Sequence, residues 1–165
     1  MSVEVNGIAH IQLTVRDGER CLPFWKRLCH FLQMQTLIEG EGVLYCIGSR
    51  TGILVRQAPS DKLDRPFDQD RPGLHHFCFR ARRREDVDAI HRFAADQLGA
   101  VVVRAPRESP EFAPGYYSTL FEDPDGIRVE VNFVPGKGHL GAGGRLGEGG
   151  SGPARGYGAE GLGDP

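Results

Sequence analysis

Three side chains in this sequence are of the right types to hold a divalent ion together: His10 in IAHIQL, His76 in GLHHFCFR and Glu130 in GIRVE. The two histidines lie 66 places apart, and their surroundings overlay residue for residue. Ile8-Ala9-His10-Ile11-Gln12-Leu13 matches Leu74-His75-His76-Phe77-Cys78-Phe79, and both segments alternate as half-buried strands do. Gly52-Ile53-Leu54-Val55-Arg56 overlays Gly126-Ile127-Arg128-Val129-Glu130 in turn, which puts Arg56 at the place equivalent to Glu130. An internal repeat names matching positions before their residue types are inspected. Two imidazoles and one carboxylate, each from a different strand, are therefore expected to converge on an ion and leave positions open for water or substrate. The tandem pair His75-His76 is separated by strand alternation: His76 aligns with His10 and is the expected ligand, and His75 is expected to point away, packing, hydrogen-bonding or supporting from behind.

The elements that must position these groups repeat as well. After each histidine strand comes a helix. The first carries apolar residues at Cys21, Phe24, Trp25, Leu28, Phe31 and Leu32, the spacing of one buried face. Pro23 predicts a late start for it, near Arg20. The second helix runs through Val87, Ile90, Phe93, Ala94 and Leu98 to a stop at Gly99. Three strand-like runs then follow in each half: 35–39, 43–47 and 52–57 in the first, 100–104, 115–122 and 126–133 in the second. Asp123-Pro124-Asp125-Gly126 has the residues of a tight turn, so the last two strands are expected to form a hairpin. The order is β-α-β-β-β twice, an α+β fold whose tandem modules (7–57 and 73–134, joined by a polar, Pro-containing linker at 58–72) are expected to form a cupped mixed sheet around the metal. A single domain over 1–136 results. The Gly-dominated stretch 137–165 is expected to be a flexible tail, since it has too little apolar surface to offset the entropy of ordering.

Bulk properties exclude several classes. Twenty basic residues against twenty-two acidic give a net charge of −2, with no field to draw the chain to nucleic acid. No stretch is long and apolar enough to predict a membrane span or a secretory leader, so a cytoplasmic protein is expected. Cys21, Cys29, Cys46 and Cys78 lack metal-binding or redox spacing and are expected to be reduced and buried. His30, His91 and His139 suggest no role.

The motifs together resemble the vicinal oxygen chelate superfamily, which includes glyoxalase I, extradiol dioxygenases, methylmalonyl-CoA epimerase and the fosfomycin and bleomycin resistance proteins. IAHIQLTV resembles its first ligand strand, PFWKRLCHFL its first helix, GLHHFCFR its second ligand strand and YYSTLFEDPDGIRVEV its closing hairpin. The resemblance implies His10, His76 and Glu130 as metal ligands, and an ion that binds two neighbouring oxygens of a small-molecule substrate. With this ligand set Fe(II) and Mn(II) fit best, and Zn(II) and Ni(II) stay open. Dioxygenase-like and glyoxalase-like lyase or isomerase chemistry are both compatible; a metal-independent, drug-sequestering binding protein is the alternative. Arg56 stands where glyoxalase I has a second glutamate, which argues against glutathione-dependent glyoxalase chemistry and suggests a grip on a substrate carboxylate or a local ion pair. Leu120 replaces the substrate-binding tyrosine of the fosfomycin transferases. By alternation Tyr116, Ser118 and Leu120 share one face, which makes Tyr116 the candidate phenol near the metal. Superfamily habit and exposed sheet edges imply a homodimer.

Overall fold

The computed structural model describes residues 2–5, 7–48 and 50–136; the Gly-rich stretch 137–165 lies outside them. The first module consists of β1 (Ile11–Val15), α1 (Gly18–Phe31), β2 (Gln35–Gly40), β3 (Val43–Gly48) and β4 (Thr51–Gln57). The second consists of β5 (Phe77–Arg80), α2 (Arg84–Arg92) with a π-helical turn at Phe93–Leu98, β6 (Val101–Glu108), β7 (Tyr117–Glu122) and β8 (Arg128–Phe133). Each set of strands makes its own mixed sheet, in the orders β1-β4-β3-β2 and β5-β8-β7-β6. The β-α-β-β-β repeat is thus present twice, as two four-stranded sheets and not as one hydrogen-bonded sheet.

In both modules one sheet face packs on the helix. Leu13, Val15, Ile53 and Val55 are buried there under Cys21, Phe24, Trp25, Leu28 and Cys29 of α1, spaced i, i+3, i+4 as a single helical stripe requires. The helix starts at Gly18, earlier than its proline suggests. Asp17 caps it by accepting from the Arg20 N–H at 3.1 Å, and the Asp125 carboxylate accepts from the backbone N–H groups of Arg16 and Asp17. Pro23 is exposed in the second turn, where the helix forgoes one backbone hydrogen bond and continues. Gly99 ends the second helical segment with φ of 64°, a left-handed conformation that glycine adopts without steric cost.

The two modules meet through α1. Trp25 is fully buried, lies stacked on Phe77 of β5 with ring centroids 6.0 Å apart, and donates its indole N–H to Asp123 at 2.8 Å. Phe31, which the helical pattern places in the core, is 41% exposed and stacks instead on Phe93 at 4.0 Å. A crevice of about 490 Å³ runs along the free edge of β5, with Ile8, Ile11 and Arg50 on the side of the first module and Cys78 and Arg80 on the other.

Candidate functional site

The strand register decides which residues are equivalent. In the parallel pair β5–β8, Cys78 lies beside Glu130. In β1–β4, Gln12 lies beside Leu54, and Arg56 lies beside Thr14. Since His10 and His76 each stand one residue before their strands, the counterpart of Glu130 is Leu54, and the counterpart of Arg56 is Asn132. The overlay of Gly52 on Gly126 is therefore two residues out of register, which keeps Arg56 on the same face but moves it about 7 Å along its strand. It is exposed, in the sheet opposite the one that holds Glu130.

Glu130 is the hub of the open face of the second module. The residue is 6% exposed, and its two carboxylate oxygens have different partners. Oε1 accepts from Arg104 Nη2 and from the Tyr116 hydroxyl, both at 3.0 Å, and Oε2 lies 3.0 Å from His76 Nε2. Arg104 Nη2 also donates to Ser118 Oγ at 2.9 Å. On the far side of the His76 ring, Nδ1 lies 2.6 Å from His75 Nδ1. His75 is thus exposed but not turned away from its neighbour. The reason is local: β5 begins only at Phe77, so the strict alternation of a strand does not govern the two histidines before it.

Electrostatics follow from this geometry. Burial pushes the Glu130 carboxyl up, but hydrogen bonds from His76, Ser118 and Tyr116 outweigh it and hold the group at about 2. Burial, and next to it the Glu130 charge, push the Tyr116 phenol well above the usual tyrosine range, so it remains a donor near neutrality. In the metal-free protein the depressed Glu130 pKa contributes stability that is fully present above 4.5 and is lost as pH falls from there through about 2. Asp123 has the opposite sign, because burial raises its pKa and protonation then favours the folded form. Urea unfolding of the metal-free protein at about pH 6 and about pH 3 should therefore show a smaller acid loss in Glu130→Gln than in the wild type. Equal losses in the two proteins would show that Glu130 is not held in this way.

Of the candidate ligands, the structure brings His76 and Glu130 together and leaves His10 apart. The His10 ring lies in edge contact with Tyr45 of β3, with centroids 6.4 Å apart. Among the described residues no three His, Cys, Asp or Glu side chains are grouped as a metal ion would need. Ile8 and Ile11, on either side of His10 in sequence, line the crevice that Cys78 and Arg80 line from the second module, and His10, His76 and Glu130 themselves do not line it. The donor chemistry of the other two fits a metal. Glu130 has one oxygen committed to two donors and the other turned to His76, and His76 has Nδ1 engaged by His75 and Nε2 turned to Glu130, the outer support that fixes a ligand's orientation. A metal ion held there would take the place of the His76–Glu130 hydrogen bond.

Arg104, Ser118 and Cys78 belong to this site although their sequence context suggests only strand. Cys78 is exposed on the Glu130 face, unlike the other three cysteines, which are buried. Alternation along β7 does put Ser118 on the face of Tyr116, and the register beside β8 carries that face to Glu130. Arg104 has no such signal, because β6 is irregular on both sides of it. Tyr116 lies just before β7 and Tyr117 turns to the other side, where it donates to Asp88 at 2.7 Å.

Two tandem modules, each presenting an open sheet face and one of them carrying a buried glutamate beside a histidine, can be compared with known families. The profile of the glyoxalase/bleomycin resistance protein/dioxygenase superfamily matches residues 7–131. The chain belongs to this superfamily, the vicinal oxygen chelate group. An uncharacterised protein of Bacillus subtilis (strain 168), YqjT, is 29% identical over 125 residues, which cover 74% of this chain and 94% of that protein. Among solved structures, a putative glyoxalase from Bacillus halodurans superposes with a TM-score of 0.66 at 22% identity, over 78% of this chain and 96% of the other. A glyoxylase/bleomycin resistance protein/dioxygenase domain from Frankia sp. EAN1pec gives 0.62 at 25%, over 79% and 98%. The fosfomycin resistance protein FosX of Mesorhizobium loti gives 0.55 at 19%, over 79% and 94%. The superfamily thus includes both enzymes and resistance proteins. No helix among the described residues is long and apolar enough to cross a membrane.

Proposed function

We propose that this vicinal oxygen chelate protein is a divalent-metal-dependent enzyme acting on a small molecule with adjacent oxygens, through dioxygenase-like or glyoxalase-like lyase or isomerase chemistry. One observation carries the reading: the His76–Glu130 pair, in which each partner turns one free donor toward the other while its second polar atom is held from behind. His76 and Glu130 would hold the ion, with His10 as third ligand, brought across the crevice or contributed by a second copy of the chain in a homodimer. Fe(II) and Mn(II) suit two imidazoles and a carboxylate with open positions, and Zn(II) and Ni(II) also fit. When bound, the ion supplies an electrophile that stabilises negative charge developing on the substrate oxygens.

The remaining work falls to the chain's own residues. Arg104 and Tyr116 keep Oε1 of Glu130 in place, so that the carboxylate presents Oε2 alone. Tyr116, protonated near neutrality, can in addition donate to a substrate oxygen. Leu120, 3% exposed and beside Glu130 in register, keeps water from that flank. Arg56 would meet the substrate from the other module. Net charge argues against nucleic acid as a partner, and a cytoplasmic setting suits the free thiols.

A second reading, metal-independent binding of a small molecule, is favoured by the saturation of Glu130 Oε1 by two protein donors. Titration of Mn(II) into protein purified without chelator separates the two. The enzyme reading expects one ion per chain, and expects His10→Ala and His76→Ala each to weaken binding by more than about 100-fold, beyond the loss typical for an outer-shell partner. Wild-type protein that takes up no ion would leave the binding-protein reading.

A further inference from the structure

The charge around Glu130 has the wrong sign for a site that binds only a metal ion. On the open face of the second module, the cations are Arg80, Arg104, Arg107 and Arg128, by hydrogen bond or by register. Among the described residues the acids that register or hydrogen bonds put there are Glu130 and Glu122, and Glu122 accepts from Arg128 at 3.1 Å, so Arg128 is engaged. Arg104 is held to Glu130 and Ser118 through Nη2 alone, and its buried Nε has no hydrogen-bond partner. A guanidinium carries five donors in a planar fork suited to an oxyanion, so most of this fork is uncommitted. Arg80 follows Cys78 by two residues on the same face and lines the crevice; among the described residues no ion pair holds it. A divalent ion at His76 and Glu130 would add two further positive charges, which a single carboxylate cannot balance in a partly dehydrated site.

From this we infer that the ligand of the site is an anion, a small carboxylate or phosphonate whose charged group is gripped by Arg104, with Arg80 at the mouth of the crevice. The inference deepens the proposed function and rests on it for the metal, but the arginine contact can be read with or without an ion. Arg104 is thereby assigned the grip on substrate charge that sequence overlay suggested for Arg56. The crevice of about 490 Å³ that Arg80 lines, at the β5 edge of the same sheet, is large enough for the body of such a molecule.

Calorimetric titration of glutarate, propylphosphonate and the neutral analogue glutaramide into full-length protein, metal-free and Mn(II)-loaded, tests this. The wild type should bind glutarate or propylphosphonate, and which of the two is tighter identifies the acid group; glutaramide should not bind. Arg104→Met should weaken the bound acid by about tenfold or more, as loss of a charged hydrogen bond does. Arg80→Met should weaken it less, and Arg92→Met, on the exposed side of α2, should stay within about twofold. If Arg104→Met does not fold, Arg104→Lys and the exposed Arg80→Met take its place, and unchanged affinity in both overturns the inference. Glutaramide binding as tightly as glutarate overturns it too, as does a Mn(II)-loaded wild type that binds neither acid. Acid binding that depends on Arg104 in a protein that takes up no Mn(II) would uphold the anion site and remove the metal.

Discussion

Glu130→Ala is expected to lower the free energy of unfolding by about 3 kcal/mol, the low end for removing one partner of a buried ion pair. The cost comes less from the missing carboxylate than from the groups that remain around it. Arg104, whose side chain is 17% exposed, would keep its charge with Ser118 as its remaining hydrogen-bond partner, and the Tyr116 hydroxyl would lose its acceptor. Partial exposure lets Arg104 draw in water, which is why a larger figure is not expected. Glu130→Gln keeps an acceptor oxygen for Arg104 and Tyr116, so about 1 kcal/mol is the corresponding loss. Urea denaturation of the metal-free proteins at neutral pH reads both. A change below about 0.5 kcal/mol in Glu130→Ala, the size of an ordinary surface substitution, would show that the hub is not held together as described.

Trp25→Ala should cost more, about 3–5 kcal/mol, as large-to-small replacement of a fully buried aromatic does. Trp25 touches both modules: it belongs to the first and packs on Phe77 and Asp123 of the second. Trp25→Phe keeps the ring against Phe77 but removes the N–H that Asp123 accepts. Asp123 would still accept from the backbone N–H groups of Asp125 and Ile127, so about 1–2 kcal/mol is expected for that variant. The two variants thus divide packing from hydrogen bonding at the joint between modules, and equal losses in both would assign the whole effect to the indole N–H. Because Phe77 directly follows His76, a loosened joint should also shift His76, the proposed ligand.

Much of this could be read in the chain itself, and the places where reading fails have physical causes. Hydrophobic period identifies both helices, and β1, because each buries one face; the edge strands β2 and β6 bury no residue and β7 and β8 bury successive ones, so the repeat and the turn residues around them mark these strands. Alternation correctly puts Ser118 with Tyr116 on the Glu130 side and Tyr117 on the other, because β7 and β8 pair without irregularity from Tyr117 to Glu122. The match of Arg56 to Glu130 fails because similar residues, Gly-Ile in both strands, align two places away from the register that parallel pairing sets. Pro23 suggests a late helix start, but the Asp125 carboxylate, from the other module, helps fix the start at Gly18. Arg104 reaches Glu130 from across a bulged strand, and no periodic pattern carries that information. His10 is the least legible: its type and repeat position mark it as a ligand, whereas its distance from His76 depends on how two separate sheets sit against each other.

The central claim is that His76 and Glu130 form a metal site completed by His10. Metal-edge X-ray absorption on the Mn(II)-loaded protein tests it most directly, because imidazole rings give a distinct multiple-scattering signature. Two imidazoles per ion in the wild type, and one in His10→Ala loaded at high Mn(II), are the predicted result. A wild-type spectrum with no imidazole, or one that His76→Ala and His10→Ala leave unchanged, would contradict it.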